Sequence, residues 1–411
     1  MLTPETKVQF NEIFEELAKN LDISETEYKN AVKSYQAVGG WLADNNSSLS
    51  LYKPEILPQG SFLLGTMVKP VNENDELDVD VVCRLEGKKP DWAQYHLKNA
   101  VGDRLKDNGT YKEMLRNKEG RRCWTLHYAD SSKYHIDILP SIVSKGYKEI
   151  LEKAYSSLEF QDFNRTVIRI TDKLENNYYV DTNPNNWHKS NPFGYAIWFQ
   201  QKCSLSMVKS LFLSESINPL PTYNKEKLPL QRVVQLLKRH RDIMFNGHED
   251  KPISIIITTL SSKAYQKETD IISALNNVVS RMESFIEERY SVKHDKIVKW
   301  IANPINEEEN FADKWAENPR KELNFFEWMD RIKSDLSITY ELRGIHKIEE
   351  SFSKSFGEKV TKLSFGNIAD NAYKQRENGN LYMKQGTGIL GAKIADSTIV
   401  KSHTFHGEGE K

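Results

Sequence analysis

The chain has 411 residues, 38% hydrophobic and 28% charged, which is a soluble globular balance with enough length for two or three cores. A net charge of −1 and a pI near 6.8 give no overall positive field for gripping long nucleic acid, and favour a small substrate such as a nucleotide. Three cysteines without metal-ligand spacing (Cys83, Cys123, Cys203), no apolar run of bilayer length and no signal-peptide pattern at Met1-Leu2-Thr3-Pro4-Glu5 predict a cytoplasmic protein with no membrane partner.

Residues 3–43 read as two helices. Phe10, Ile13, Phe14 and Leu17 repeat at helical spacing, Ser24 and Glu27 fit a capping box, and Val32, Tyr35, Val38 and Leu42 continue the pattern. We assign 1–50 to an N-terminal helical arm with a structural role.

Residues 51–165 read as an α/β catalytic core. In Pro58-Gln59-Gly60-Ser61, Gly60 lets backbone approach a phosphate and Ser61 offers a hydroxyl and an N–H. After a polar loop at 69–75, the segment 77–82 alternates as a strand. Asp78 and Asp80 then project from one face about 7 Å apart. Two carboxylates held so closely repel, and divalent cations between them relieve the repulsion. A helix is predicted over 92–106, with strands over 78–85, 121–128 and 134–139. Asp137 alternates with Ile136 and Ile138, and supplies the third carboxylate that a two-metal site needs. Arg122 is a candidate for a phosphate or a second nucleotide, and equally a surface arginine. An isolated Asp-x-Asp is usually a solvated face and an isolated Gly-Ser a turn. The three pieces in order favour a catalytic site.

Residues 166–372 read as a helical lobe completing a nucleotide cleft. Tyr195, Trp198 and Phe199 share a helical face, as a base-stacking floor or as core. In the helix at 228–245, Leu230, Val233, Val234, Leu237, Met244 and Phe245 form the apolar stripe. Arg239 lies opposite, where solvent is expected. Arg241 falls within the stripe and Lys238 on its edge, so each needs an anion, either a protein carboxylate or a triphosphate. Ser254, in the mostly apolar run 251–260, donates either to a phosphate or to backbone. Helices are predicted over 321–337 and 339–356. Residues 373–411, marked by scattered glycines, read as a flexible tail.

The Gly-Ser turn, the two-carboxylate strand and the later strand Asp resemble DNA-polymerase-beta-type nucleotidyltransferases. Four further stretches narrow the resemblance: Asn191-Pro192-Phe193-Gly194-Tyr195 with Trp198-Phe199, Leu230-Gln231-Arg232 through Asp242, Pro252-Ile253-Ser254 to Leu260, and Glu309-Asn310-Phe311 to Trp315. Together they look like the bacterial cGAS/DncV-like nucleotidyltransferases (CD-NTases), the signal synthases of anti-phage CBASS systems.

The resemblance implies an α+β, bilobal, polymerase-beta-like fold with a mixed-sheet catalytic core and a helical C-terminal lobe. It implies synthesis of a cyclic di- or trinucleotide from nucleoside triphosphates, ATP or GTP, with release of pyrophosphate. Asp78 and Asp80 would hold two Mg²⁺ ions, with Mn²⁺ as the alternative, and Asp137 would join them at one. By matching position Gln59 and Ser61 would contact the donor nucleotide, and Lys238 and Ser254 its phosphates. It also implies CBASS ancillary partners, among them a ubiquitin-like ligase acting on a tail such as 400–407, although Glu408-Gly409-Glu410-Lys411 continue past Gly407 here. The same three carboxylates would also serve transfer of one nucleotide to a protein or small molecule. The remaining alternative is a nucleotide-sensing module without catalysis.

Overall fold

The computed structural model describes residues 3–72, 76–116, 119–128, 134–157, 159–204, 223, 226–384, 390–391 and 396–401. Alternating apolar residues build the central sheet. Its strands are β1 (Glu55–Pro58), β2 (Leu77–Glu86), β3 (Trp124–Tyr128), β4 (Tyr134–Val143), β5 (Ile168–Ile170) and β6 (Lys189–Ser190). They run in the order β1-β2-β4-β5-β6, with β3 also paired to β4. β2 and β4 are parallel and the other pairs antiparallel, so the sheet is mixed.

Thirteen α-helices are present among the described residues. The N-terminal pair is α1 (Pro4–Asn20) and α2 (Glu25–Ala43). The sheet region carries α3 (Gly60–Leu64), α4 (Gln94–Lys106), α5 (Gly109–Met114) and α6 (Tyr147–Ser156). The helical lobe holds α7 (Pro192–Cys203), α8 (Pro229–Phe245), α9 (Ser254–Ala264), α10 (Ile271–Arg281), α11 (Pro319–Glu341), α12 (Ile345–Phe356) and α13 (Glu358–Glu377). Short strands β7 (Glu287–Ser291), β8 (Lys296–Trp300), β9 (Ala302–Asn303) and β10 (Asn306–Asn310) decorate this lobe. β11 (Tyr382–Lys384), β12 (Leu390–Gly391) and β13 (Ser397–Ile399) form a small sheet near the C-terminus. No helix among the described residues is long and apolar enough to cross a membrane.

The two faces of the sheet feed two cores. Val79, Val81, Cys83, Ile136 and Ile138 pack with α2 and α4. Val82, Leu139 and Val143 pack on the opposite side with α1 and the helical lobe. The N-terminal helices therefore divide between the cores. On α1, Phe14 meets Phe352 at 5.0 Å between ring centroids, whereas Tyr35 and Val38 of α2 lie in the other cluster. The capping box at Ser24 and Glu27 forms as the spacing predicts.

Several expectations need correction. Arg239 is buried and donates to the Lys69 carbonyl at 2.6 Å, because α8 is enclosed nearly all round and has no solvated face there. The break expected between 337 and 339 falls later: α11 runs on to Glu341 and α12 begins at Ile345, after Gly344 at φ 92°. The strand expected to begin at 121 starts at Trp124. Cys123, whose apolar sequence neighbours suit a core position, is half-buried. The tail expected from 373 is helical to Glu377 and then contributes β11 to β13. The ending around Gly407 lies outside the described residues, as do positions 73–75 of the expected polar loop. Tyr195, Trp198 and Phe199 are core, with the Tyr195 hydroxyl bonded to Thr259 at 2.8 Å.

A buried ionic knot ties α1 to α8. Arg232 Nη1 donates to Asp22 at 2.7 Å and to the Ala18 carbonyl at 3.0 Å. Gln235 donates to the same Asp22 at 2.8 Å, and Lys227 pairs with it too. Removing one member of a buried ion pair leaves the other charge uncompensated, at a cost of about 3–5 kcal/mol. Asp22→Ala is therefore expected to lower unfolding free energy by that amount. The urea midpoint should fall markedly, and Asp22→Ala with Arg232→Met should recover part of the loss.

Candidate active site

The site begins with strand periodicity. On β2, Glu76 at the strand's start, Asp78 and Asp80 are spaced by two and share a face. On β4, His135 and Asp137 do the same. The parallel register sets Asp78 opposite His135 and Asp80 opposite Asp137. β3 adds a third row, with Thr125 opposite Asp137 and His127 opposite His135. The three carboxylates expected from the sequence thus come to one face of two adjacent strands, β2 and β4.

Each carboxylate has a distinct setting. Thr125 Oγ1 donates to Asp137. Asp78 Oδ1 lies 3.1 Å from His135 Nε2. Glu76 Oε2 lies 3.1 Å from His135 Nδ1 and 3.0 Å from His127 Nδ1. The Asp80 carboxyl is pushed up to about 7 by burial and then by repulsion from Asp78 and Asp137. Its hydrogen bond with Asp78 holds the His135 imidazole above its ordinary range.

The Pro58–Ser61 turn sits against this face. The Gln59 backbone amide donates to the Asp80 carbonyl at 2.9 Å, and Gln59 immediately precedes α3 without a side-chain cap. Gly60 follows at φ 58°, and a Cβ there would lie 2.5 Å from Asp80 Oδ2. The left-handed φ favours glycine, and an added Cβ would push the Asp80 carboxylate aside.

From the helical lobe, α8 brings cations and α9 brings Ser254. Lys238 Nζ donates to the Thr66 carbonyl at 3.1 Å and to its hydroxyl at 3.2 Å. Burial, then the neighbouring Arg241, pushes the Lys238 ammonium down to about 7. Arg241 finds protein partners. It pairs with Asp242 at 2.9 Å and donates to Ser254 Oγ at 3.0 Å.

A cavity of about 740 Å³ lies between these elements, and Gly60, Ser61, Asp78, Asp80, Lys238 and Ser254 line it. That volume suits a ligand of nucleotide size. Asp137 stands beside Asp80 but is not part of the cavity wall. Gln59 meets the site through its backbone. Arg122 turns away from it, with Nε donating to buried Asp172 at 2.8 Å, and Arg121 pairs with the same carboxylate. The sequence reading passed over Glu76, Thr125, His127 and His135. The signal was present as polar residues at i±2 from the aspartates, on strands already identified.

Comparison with known proteins gives concordant matches. Residues 8–166 match the family model described as the Second Messenger Oligonucleotide or Dinucleotide Synthetase domain. The chain is similar to a c-di-GMP synthase of Roseivirga ehrenbergii, with 27% identity across 99% of this chain and 100% of the relative. It is 21% identical to the cyclic dinucleotide synthase CdnG of Bradyrhizobium diazoefficiens over 96% of this chain and 94% of that protein. The structure of CdnG in complex with GTP aligns with a TM-score of 0.64 at 19% identity, covering 88% of this chain and 99% of that one. Vibrio cholerae DncV cyclic AMP-GMP synthase, in complex with the linear intermediate 5′-pppA(3′,5′)pG, aligns with a TM-score of 0.52 at 15% identity, over 87% and 89% of the two chains. These likenesses establish the α+β bilobal nucleotidyltransferase fold.

Gly60→Ala tests how tightly the turn is fitted to Asp80. The left-handed backbone costs an alanine roughly 1 kcal/mol, and the Asp80 contact adds to it. The expected outcome is a lowered urea midpoint together with a rotated Asp80 side chain in a crystal structure of the variant.

Proposed function

We propose that this chain, a member of the bacterial cGAS/DncV-like nucleotidyltransferase family, is a synthase that joins nucleoside triphosphates into a cyclic oligonucleotide signal with release of pyrophosphate. The observation that carries the reading is the register that sets Asp80 against Asp137 and Asp78 against His135, at the edge of a nucleotide-sized cavity carrying Lys238 and Ser254. The end-to-end similarity to relatives named as cyclic dinucleotide synthases supports it, and makes GTP the first substrate to test. Anti-phage signalling is the setting that this family membership implies.

The donor set fits divalent cations. Three carboxylates converge, and burial together with repulsion from Asp78 and Asp137 raises the Asp80 carboxyl. Asp78 and Asp80 would hold a pair of Mg²⁺ ions, with Asp137 joining at one. Bound there, such ions activate the attacking ribose hydroxyl and neutralise charge on the departing pyrophosphate. The protein's own groups do the rest. Ser61 meets the donor phosphates where Gly60 allows close approach. Lys238 and Ser254 hold the triphosphate from the opposite wall, and Thr125 fixes the orientation of Asp137. Arg122 is left out of this assignment because its guanidinium is committed to Asp172.

The test is incubation of full-length protein with divalent metal and labelled triphosphates alone. A phosphatase-resistant product, identified by mass spectrometry, is expected. Product formed only after a protein or small-molecule acceptor is added would instead assign a single-nucleotide transferase.

Two variants sharpen the test. Asp137→Asn is expected to lower turnover by at least about 10²-fold while GTP affinity, measured by calorimetry, stays within a few-fold. Lys238 supplies a pH signature. Its ammonium, held near 7 without an anion, is largely neutral at pH 8 and regains its proton when a triphosphate arrives. Binding should therefore take up a proton, and affinity should fall as pH rises above about 7. Calorimetry in two buffers of different ionisation enthalpy reads the uptake, which Lys238→Met should abolish.

A further inference from the structure

Beside the three carboxylates stands a group that the acidic pattern does not explain. His135 precedes Asp137 by two residues and shares its face, directly opposite Asp78. One ligand atom each from Asp78, His135 and Asp137 lies within 4.8 Å of the others. That approaches the spacing of donors around one ion at about 2.1 Å from each. The imidazole is also oriented from behind. Its Nδ1 lies 3.1 Å from Glu76 Oε2 while Nε2 points at Asp78 Oδ1, likewise at 3.1 Å. A carboxylate on one ring nitrogen, fixing the other toward a cation, is the supporting arrangement that metal-binding histidines use. Glu76 is itself braced by His127 at 3.0 Å.

We propose that His135 is a nitrogen ligand to one of the site's divalent cations, shared with Asp78 and Asp137, and that it biases the enzyme toward Mn²⁺ over Mg²⁺. This rests on the nucleotidyltransferase reading and refines it. Mg²⁺ demands hard oxygen donors and gives up its water reluctantly. First-row transition ions accept imidazole readily. A site of oxygens alone would not separate the two ions on this basis.

The test uses full-length protein loaded with Mn²⁺ and examined by pulsed electron paramagnetic resonance. The bound ion should show coupling to a directly coordinated ¹⁴N nucleus, which changes when the protein is made with ¹⁵N-histidine. His135→Asn should remove the coupling, and His127→Asn should retain it. By calorimetry, His135→Asn should weaken Mn²⁺ at least tenfold and Mg²⁺ less than threefold. Mn²⁺ bound to the wild type without nitrogen coupling, or equal weakening of both ions in His135→Asn, would overturn the proposal and leave His135 as a positioning residue for Asp78. The wild-type spectrum decides the matter even if the variant fails to fold. Failure of the broader reading looks different: Mn²⁺ binding would then survive Asp78→Asn and Asp137→Asn unchanged.

Discussion

The parallel pairing of β2 with β4 is the constraint on which the site depends. It matches Asp78 to His135 and Asp80 to Asp137 residue for residue. Carboxylates do not choose such proximity. It is imposed from the other face of the same strands, where Val79, Val81, Cys83, Ile136 and Ile138 are fully buried. A slip of one residue would turn those side chains toward the cleft and send the aspartates into the core. Burial of apolar groups at about 25 cal/mol per Å² far outweighs the repulsion among three partly solvated charges. The sheet's hydrophobic face therefore holds its functional face in place.

The second support is α8. Its polar residues are not spread over a wet surface but reach inward to the segment that links α3 to β2. Lys238 holds Thr66, Gln235 holds the Met67 carbonyl at 2.6 Å, and Arg239 holds the Lys69 carbonyl. Arg232 and Gln235 anchor the same helix to Asp22. One helix from the helical lobe thus fixes the segment between the Gly-Ser turn and the carboxylate strand. The two halves of the site come from different lobes, and this hydrogen-bonded helix sets their separation.

Much of this was legible in the sequence. The alternation in 77–82 and 134–139 revealed the strands and the shared face of Asp78 and Asp80, because side-chain direction on a strand depends only on parity. The spacing along 228–245 revealed α8. Register was not legible, since nothing local says that residue 80 stands opposite 137, and without register His135 is one more histidine. Arg239 was misread for a related reason. A helical wheel assumes one dry face, but whether the opposite face is wet depends on neighbours distant in the chain, here the carbonyl of Lys69. The choice between the two readings of Arg122 was not legible because its partner, Asp172, lies 50 positions away.

The charge states at the cavity bear on the proposed ligand. Asp80 and Lys238 both titrate near 7, from opposite directions. The carboxylate is raised because it is buried among negative neighbours. The ammonium is depressed because it is buried beside Arg241. Each is short of a counter-charge, and the two do not pair directly. A bare cation would satisfy the carboxylates but would leave Lys238 short of an anion. A bare triphosphate would suit Lys238 but bring further negative charge toward three aspartates. A metal–triphosphate complex presents each sign to the wall that lacks it. Bound together, metal and nucleotide also strengthen each other's hold, because each removes the repulsion that the other would meet alone. Under the proposed function, the cavity would be complementary to the complex rather than to either component.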